Sequence, residues 1–276
     1  MSIKLDRARR AGARRSLKND PANQNAWCEL AEASFALGEA DAAVDACRRA
    51  ALLAPLTIGH AWLLTRGLYA VGDEAGAGVA AREAAPLAAA SDYPGPEFRR
   101  LVEVVEAAGD RPLETRADFH VLVGASLRYG PFNGRAGEAF ERALAIDPSH
   151  DWATLRRWEH LPPDRRSLED LDALSRRGRD VKLLAYVARY ARDEAPAVGE
   201  RACLAALNAD PWDPWGDSSV SQIVAWLWRA GHEDDAVALA RRGLAHRPRL
   251  NLAVGWSGQG LHADELTALM SRVRDG

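Results

Sequence analysis

The chain has 276 residues with 36 basic and 39 acidic side chains, a formal net charge of −3, so bulk electrostatic attraction to nucleic acid or an anionic membrane gets no support. At 47% hydrophobic and 27% charged residues it matches globular averages, which excludes general disorder and gives enough chain for a large core in one elongated or two compact domains. No apolar run approaches the roughly 18 residues of a membrane span, and the cations Lys4, Arg7, Arg9, Arg10, Arg14 and Arg15 leave no apolar stretch for a signal peptide. A cytoplasmic protein is expected.

Cys28, Cys47 and Cys203 are odd in number and show no CxxC spacing, which agrees with a reducing compartment and no disulfide framework. Alanine is abundant and isoleucine and threonine are scarce. That balance favours helix over strand, because β-branched side chains lose rotamer freedom in helices. Lys4, Lys18 and Lys182 are the only lysines. With the alanine excess, this arginine preference reads as a bacterial-type composition of a GC-rich genome and carries no functional weight.

In chain order, residues 1–19 read as a basic N-terminal helix or half repeat, with seven cations and one acid between Lys4 and Lys18. A solvated capping helix is the simpler reading of it than an arm for RNA. Residues 20–91 hold two helical hairpins. The first runs through Trp27, Leu30, Ala31 and Ser34, turns at Gly38, continues through Ala43, Cys47 and Ala50 and stops at Pro55, with Asn23 as the expected N-cap. The second, more degenerate, has Leu64, Leu68, Gly72, Ala77, Ala81 and Ala84 in the same register. Residues 92–116 form an insertion with one helix from about Glu97 to Ala108. Residues 117–150 repeat the hairpin grammar with His120, Val123, Gly124, Leu127, Ala136, Phe140, Ala143 and Pro148, Asn133-Gly134 lying in the turn.

Residues 151–179 form a second insertion, two helices split by Leu161-Pro162-Pro163-Asp164. Residues 180–250 hold two further hairpins, starting near Asp180 and Asp217 and closing at Pro211 and Pro248. In 251–276 a polar turn precedes a helix from Ala263 to Arg274, placed to shield the last apolar face.

These recurrent positions resemble the tetratricopeptide repeat, whose unit of about 34 residues pairs two helices around large and small residues and ends in proline. Ser34 and Cys47 stand where that family has aromatics. The fold class expected is all-α, a right-handed α-solenoid of such helix pairs with irregular helical insertions. The resemblance also implies a concave groove lined by first-helix residues, here Asn25, Cys28, Glu32 and Phe35, then Trp62, Arg66 and Tyr69, then Asp118, Val121 and Arg128, and finally Ser218, Ser221 and Trp228. From these, Asn25, Glu32, Phe35, Trp62, Arg66, Tyr69, Asp118, Arg128 and Trp228 are the candidate peptide-binding residues. Aromatics would supply contact area and Glu32, Arg66, Asp118 and Arg128 would read charge. The Lys/Asn carboxylate clamp of the chaperone-binding members is missing, Cys28 and Trp62 standing where a cation would help, so recognition of a free C-terminal carboxylate is not expected.

No phosphate-loop, metalloprotease or nucleophile-elbow motif occurs. His232 to Asp235 and His262 to Glu265 lack metal-ligand spacing and read as helix-start charges. No catalytic residue, metal or cofactor is expected. The nine tryptophans include Trp226 and Trp228, which face different ways on one helix, and the loop pair Trp212 and Trp215, whose roles divide between packing and a binding lip. The reading is a non-catalytic cytosolic scaffold or adaptor that binds a protein or peptide. The alternative is an enzyme or small-molecule binder whose insertions close a pocket.

Overall fold

The computed structural model describes residues 3–91, 95–209, 217–246, 250–253 and 260–274. Pro211, Trp212, Trp215, Pro248 and Trp256 lie outside these, as does most of the polar turn before the last helix. Every regular element described is helical: α1 (Ile3–Asn19), α2 (Gln24–Ala36), α3 (Ala40–Leu53), α4 (Ile58–Ala70), α5 (Glu74–Ala89), α6 (Pro96–Ala108), the 3-10 turn η1 (Leu113–Thr115), α7 (Ala117–Leu127), α8 (Asn133–Ile146), α9 (Asp151–His160), η2 (Pro163–Arg165), α10 (Leu168–Arg177), α11 (Val181–Ala191), α12 (Pro196–Ala206), α13 (Asp217–Arg229), α14 (Glu233–His246) and α15 (Ala263–Arg274). The fold is all-α, built of helix hairpins that stack in chain order within each unit, the pattern of a helical repeat. It divides into two compact units, one up to His160 and one from Leu161.

In the first unit the hairpins are α2/α3, α4/α5 and α7/α8, with α1 packed on α2 as a preceding second helix would be and α9 packed on α8 and α7. Small residues make this possible. Ala31, Ala43, Ala50, Ala77, Ala81, Ala84, Ala136 and Ala143 are all within 1% of complete burial, so helix axes approach closely and the larger side chains fill what remains. Gly38 and Gly72 turn the first two hairpins at φ 82° and 91°, a region that only glycine enters at little cost. Asn23 caps α2 by accepting from the Ala26 backbone N–H at 3.0 Å. Asn133 and Gly134 are not in the α7/α8 turn as expected but open α8. The chain reverses one step earlier, at Gly130 and Pro131, because Pro131 cannot continue α7.

Helix α6 lies in the seam between α5 and α7. It inserts Leu101, Val104 and Ala108, all at most 3% exposed, into the main core, and Arg82 of α5 holds its C-terminal end by donating to the Gly109 and Arg111 carbonyls. With α6 wedged there, the α7/α8 turn reaches back to the first hairpin. Phe132 packs on Phe35 with ring centroids 4.7 Å apart, and a Cβ on Gly38 would lie 3.3 Å from Pro131. Arg135 of α8 likewise donates to the Tyr69 carbonyl.

In the second unit α10 packs on α11 and α12, the hairpin α11/α12 packs on α13, and α14 carries α15. Asp180 caps α11, accepting from the Lys182 and Leu183 N–H groups at 2.7 and 3.2 Å. The last helix is tied down by charge. Arg229 of α13 grips Glu265 through two hydrogen bonds of 2.7 and 2.8 Å, which pulls that carboxyl down to about 2. Arg241 donates to the Arg272 and Val273 carbonyls, complementing the negative end of α15. Among the described residues no helix is long and apolar enough to cross a membrane.

Candidate functional site

The first helices of the first unit form one row, α2 against α4, α4 against α7 and α7 against α9. Their polar side chains are joined across the seams. Glu32 of α2 receives Arg9 of α1 at 2.7 Å and His60 of α4 at 3.1 Å. The other nitrogen of His60 meets the Thr57 hydroxyl at 2.8 Å. Asp118 at the start of α7 takes Arg100 of α6 at 2.8 Å and His150, just before α9, at 3.3 Å. The His150 hydrogen bond, followed by Arg100 and Arg116, holds the Asp118 carboxyl below its ordinary range against the opposing effect of burial. At the far end Arg128 pairs with Glu159 of α9 at 2.9 Å, and Arg156 reaches the same carboxylate at 2.6 Å.

The aromatic candidates are placed differently from the polar ones. Trp62 and Tyr69 are 2% exposed and Phe35 is 6% exposed, so all three serve packing rather than offering open contact area. The physical reason is α6 and the α7/α8 turn. Glu97 of α6 accepts the Trp62 indole N–H, while Phe132 covers Phe35. Arg66 stacks over the Phe35 ring, its guanidinium carbon 4.5 Å from the centroid. Asn25 is exposed at the start of α2. Trp228 belongs to the second unit, half-buried like its neighbour Trp226, and Ser221 there is buried and donates to the Asn251 carbonyl at 2.8 Å. The Ser218 side chain is not among those described.

Tyr69 instead joins a buried polar link. Its hydroxyl lies 2.7 Å from Nδ1 of His120, a residue with 0% exposure, and Nε2 of His120 is 2.8 Å from the Glu114 carbonyl. A carbonyl can only accept, so Nε2 carries the proton and Nδ1 accepts from Tyr69. Burial lowers the His120 pKa below the ordinary imidazole value. A histidine with a depressed folded-state pKa stabilises the fold above its unfolded-state pKa of about 6.5, and that contribution is lost as pH falls toward the folded value. Thermal stability is expected to fall as pH drops below about 6.5, and His120→Gln is expected to flatten that part of the profile. Tyr69→Phe leaves Nδ1 buried without a donor and is expected to cost about 1–3 kcal/mol at neutral pH; a denaturant titration showing no change would refute the link.

The two cysteines of this unit are not set up as nucleophiles. Cys28 and Cys47 are buried, and burial, with Cys28 and Glu32 adding to it, pushes the Cys47 thiol up to about 12, far from the thiolate a nucleophile needs. Among the described residues no group of three or more His, Cys, Asp or Glu is arranged to hold a metal. What the arrangement can do is present linked charges along a row of helices, flanked by Tyr129. That side chain is 85% exposed beside Arg128, whose guanidinium sits 4.3 Å from its ring centroid.

His60, Glu97, Arg100, Tyr129, His150 and Glu159 were not among the sequence candidates. Glu97 and Arg100 carried the one usable signal, a charged stripe beside the apolar spacing of Phe98, Leu101 and Val105. The rest are joined to the candidates by stacking alone.

No family model matches the sequence, and no curated protein matches it. Among solved structures, the crystal structure of MamA is similar over 71% of this chain and 85% of its own, at 15% sequence identity and a TM-score of 0.32. The fold described above therefore stands on its own helix pairing.

Proposed function

We propose that the row α2, α4, α7 and α9 docks a segment of another protein, and that the chain acts as a non-catalytic scaffold or adaptor. One observation carries this reading: polar pairs link α2 to α4 through Glu32 and His60, and α7 to its neighbours α6 and α9 through Asp118 with Arg100 and His150 and through Arg128 with Glu159, while the exposed Tyr129 stands at the end of the row. A surface of linked charges with a peripheral aromatic suits an extended macromolecular ligand, since tyrosine and arginine are the side chains that anchor protein interfaces. The helical-repeat build supports the same reading, because stacked hairpins give extended binding surfaces.

The test is affinity purification of the tagged chain from its host at moderate salt, with mass spectrometry of both proteins and small molecules. A stoichiometric protein partner is expected, and its affinity is expected to fall about 30-fold or more in the Tyr129→Ser, Arg128→Gln double variant, the loss of a typical interface anchor. Recovery of a metabolite without a protein, or undiminished affinity in the variant, would overturn the proposal.

A further inference from the structure

Several cations on or beside the docking row are matched by acids. Arg9 has Glu32, Arg100 and Arg116 have Asp118, and Arg128 and Arg156 share Glu159. Arg66 has no hydrogen-bond or ion-pair partner among the described residues. Its Nε is fully buried and unpartnered, whereas its terminal amino groups keep some contact with solvent, the residue being half-buried. Desolvation lowers its pKa, with the Glu97 charge opposing. Glu97 acts on it only through its charge, forming no hydrogen bond or ion pair with Arg66 while its carboxylate accepts the Trp62 indole N–H.

A half-buried guanidinium without an acceptor is costly to hold, and this one is held against an aromatic ring. Phe35 lies beneath it at 4.5 Å and is itself fixed by Phe132 at 4.7 Å. Little side-chain entropy remains to be lost when an anion binds, and the planar fork matches a carboxylate through two parallel hydrogen bonds.

We infer that Arg66 is the receiving point for an acidic side chain, aspartate or glutamate, of the protein segment docked on this row. The inference rests on the docking proposal above and adds the chemistry that the segment must carry at this point. A carboxylate is favoured over a phosphate because one guanidinium balances its single charge through two parallel hydrogen bonds, whereas the second charge of a phosphate dianion would be left unmatched beside Glu97.

The test selects peptides from a random display library on the intact chain and keeps those whose binding falls in Tyr129→Ser, which places them on this face. The selected sequences are expected to share an Asp or Glu. Synthetic peptides with that residue as Glu, Gln or phosphoserine are then titrated against the unaltered chain, Arg66→Gln and Arg66→Lys. Changing Glu to Gln in the peptide or Arg66 to Gln in the protein is expected to weaken binding about tenfold or more, with no further loss when both are changed, and Arg66→Lys to restore part of it. Thermal melts of Arg66→Gln are expected to match or exceed those of the unaltered chain, since the substitution removes an unmatched buried charge. Peptides that bind this face with full affinity for Arg66→Gln would overturn the inference and leave the docking proposal standing. Tighter binding of phosphoserine than of Glu would overturn the carboxylate assignment, and failure to select any peptide on this face would overturn both.

Discussion

Phe140→Ala is expected to lower the unfolding free energy by about 3–5 kcal/mol, the usual cost of emptying a closed aromatic site. The ring is 1% exposed and joins the main core of the first unit. A Cβ built on Gly124 of α7 would lie 2.7 Å from its Cε1 atom, and the His160 ring of α9 meets it edge-on at 6.2 Å between centroids. Three helices therefore close on one ring, and none can collapse into the space without losing its contact with the others. The same geometry predicts that Gly124→Ala costs about 1–3 kcal/mol by overpacking, and that this cost shrinks in the Phe140→Ala background because the two changes share one volume. Urea unfolding followed by circular dichroism checks both. Additive losses would show that the two positions do not compete for that volume.

Leu101→Ala carries the second largest effect, about 2–5 kcal/mol. From sequence, the helix around Leu101 is an insertion that interrupts the repeats. In the structure it contributes Leu101 at 0% exposure and Val104 at 3% to the same core as Phe119 and Phe140, and its ends are tied by Glu97 to Trp62 and by Arg82 to the carbonyls following Ala108. A helix merely appended to a complete repeat array would lose less than about 0.5 kcal/mol on the same change. The substitution therefore separates a wedge that builds the unit from an ornament on it. Because α6 packs on α7, whose following turn holds the Phe35 and Phe132 contact, that contact is expected to loosen too, seen as faster amide exchange at Leu37 and Gly38.

Helix existence was legible from residue spacing almost throughout. The apolar and small positions of Trp27 to Ala50 define a hairpin because only an α-helix brings residues at a period near 3.6 onto one buried face. Asn23 announced its cap, Gly38 and Gly72 their turns, and Ala263 to Arg274 its helix. Asn133-Gly134 misled because that dipeptide is an equally good helix start and turn, and Pro131 decided the matter from outside it.

The proposed docking face was legible only in part. Positions repeating through α2, α4 and α7 marked Glu32, Arg66, Asp118 and Arg128 as facing one row, and these polar residues do line its seams. The same positions also marked Trp62, Tyr69 and Phe35, and these are covered. A repeat frame fixes the direction in which a side chain leaves its helix but not what a later segment lays over it.

The sequence by itself determined the local terms: all-α elements, their hairpin pairing, their turns and caps, because these follow from propensity and from contacts between residues near in the chain. Only the tertiary structure decided that α6 wedges a seam, that His120 completes Tyr69, and that Arg66 has no ion-pair partner among the described residues where Arg9, Arg100 and Arg128 each have one. Those outcomes depend on contacts between residues tens of positions apart, whose separation is set by how helices stack and is written in no single stretch of chain.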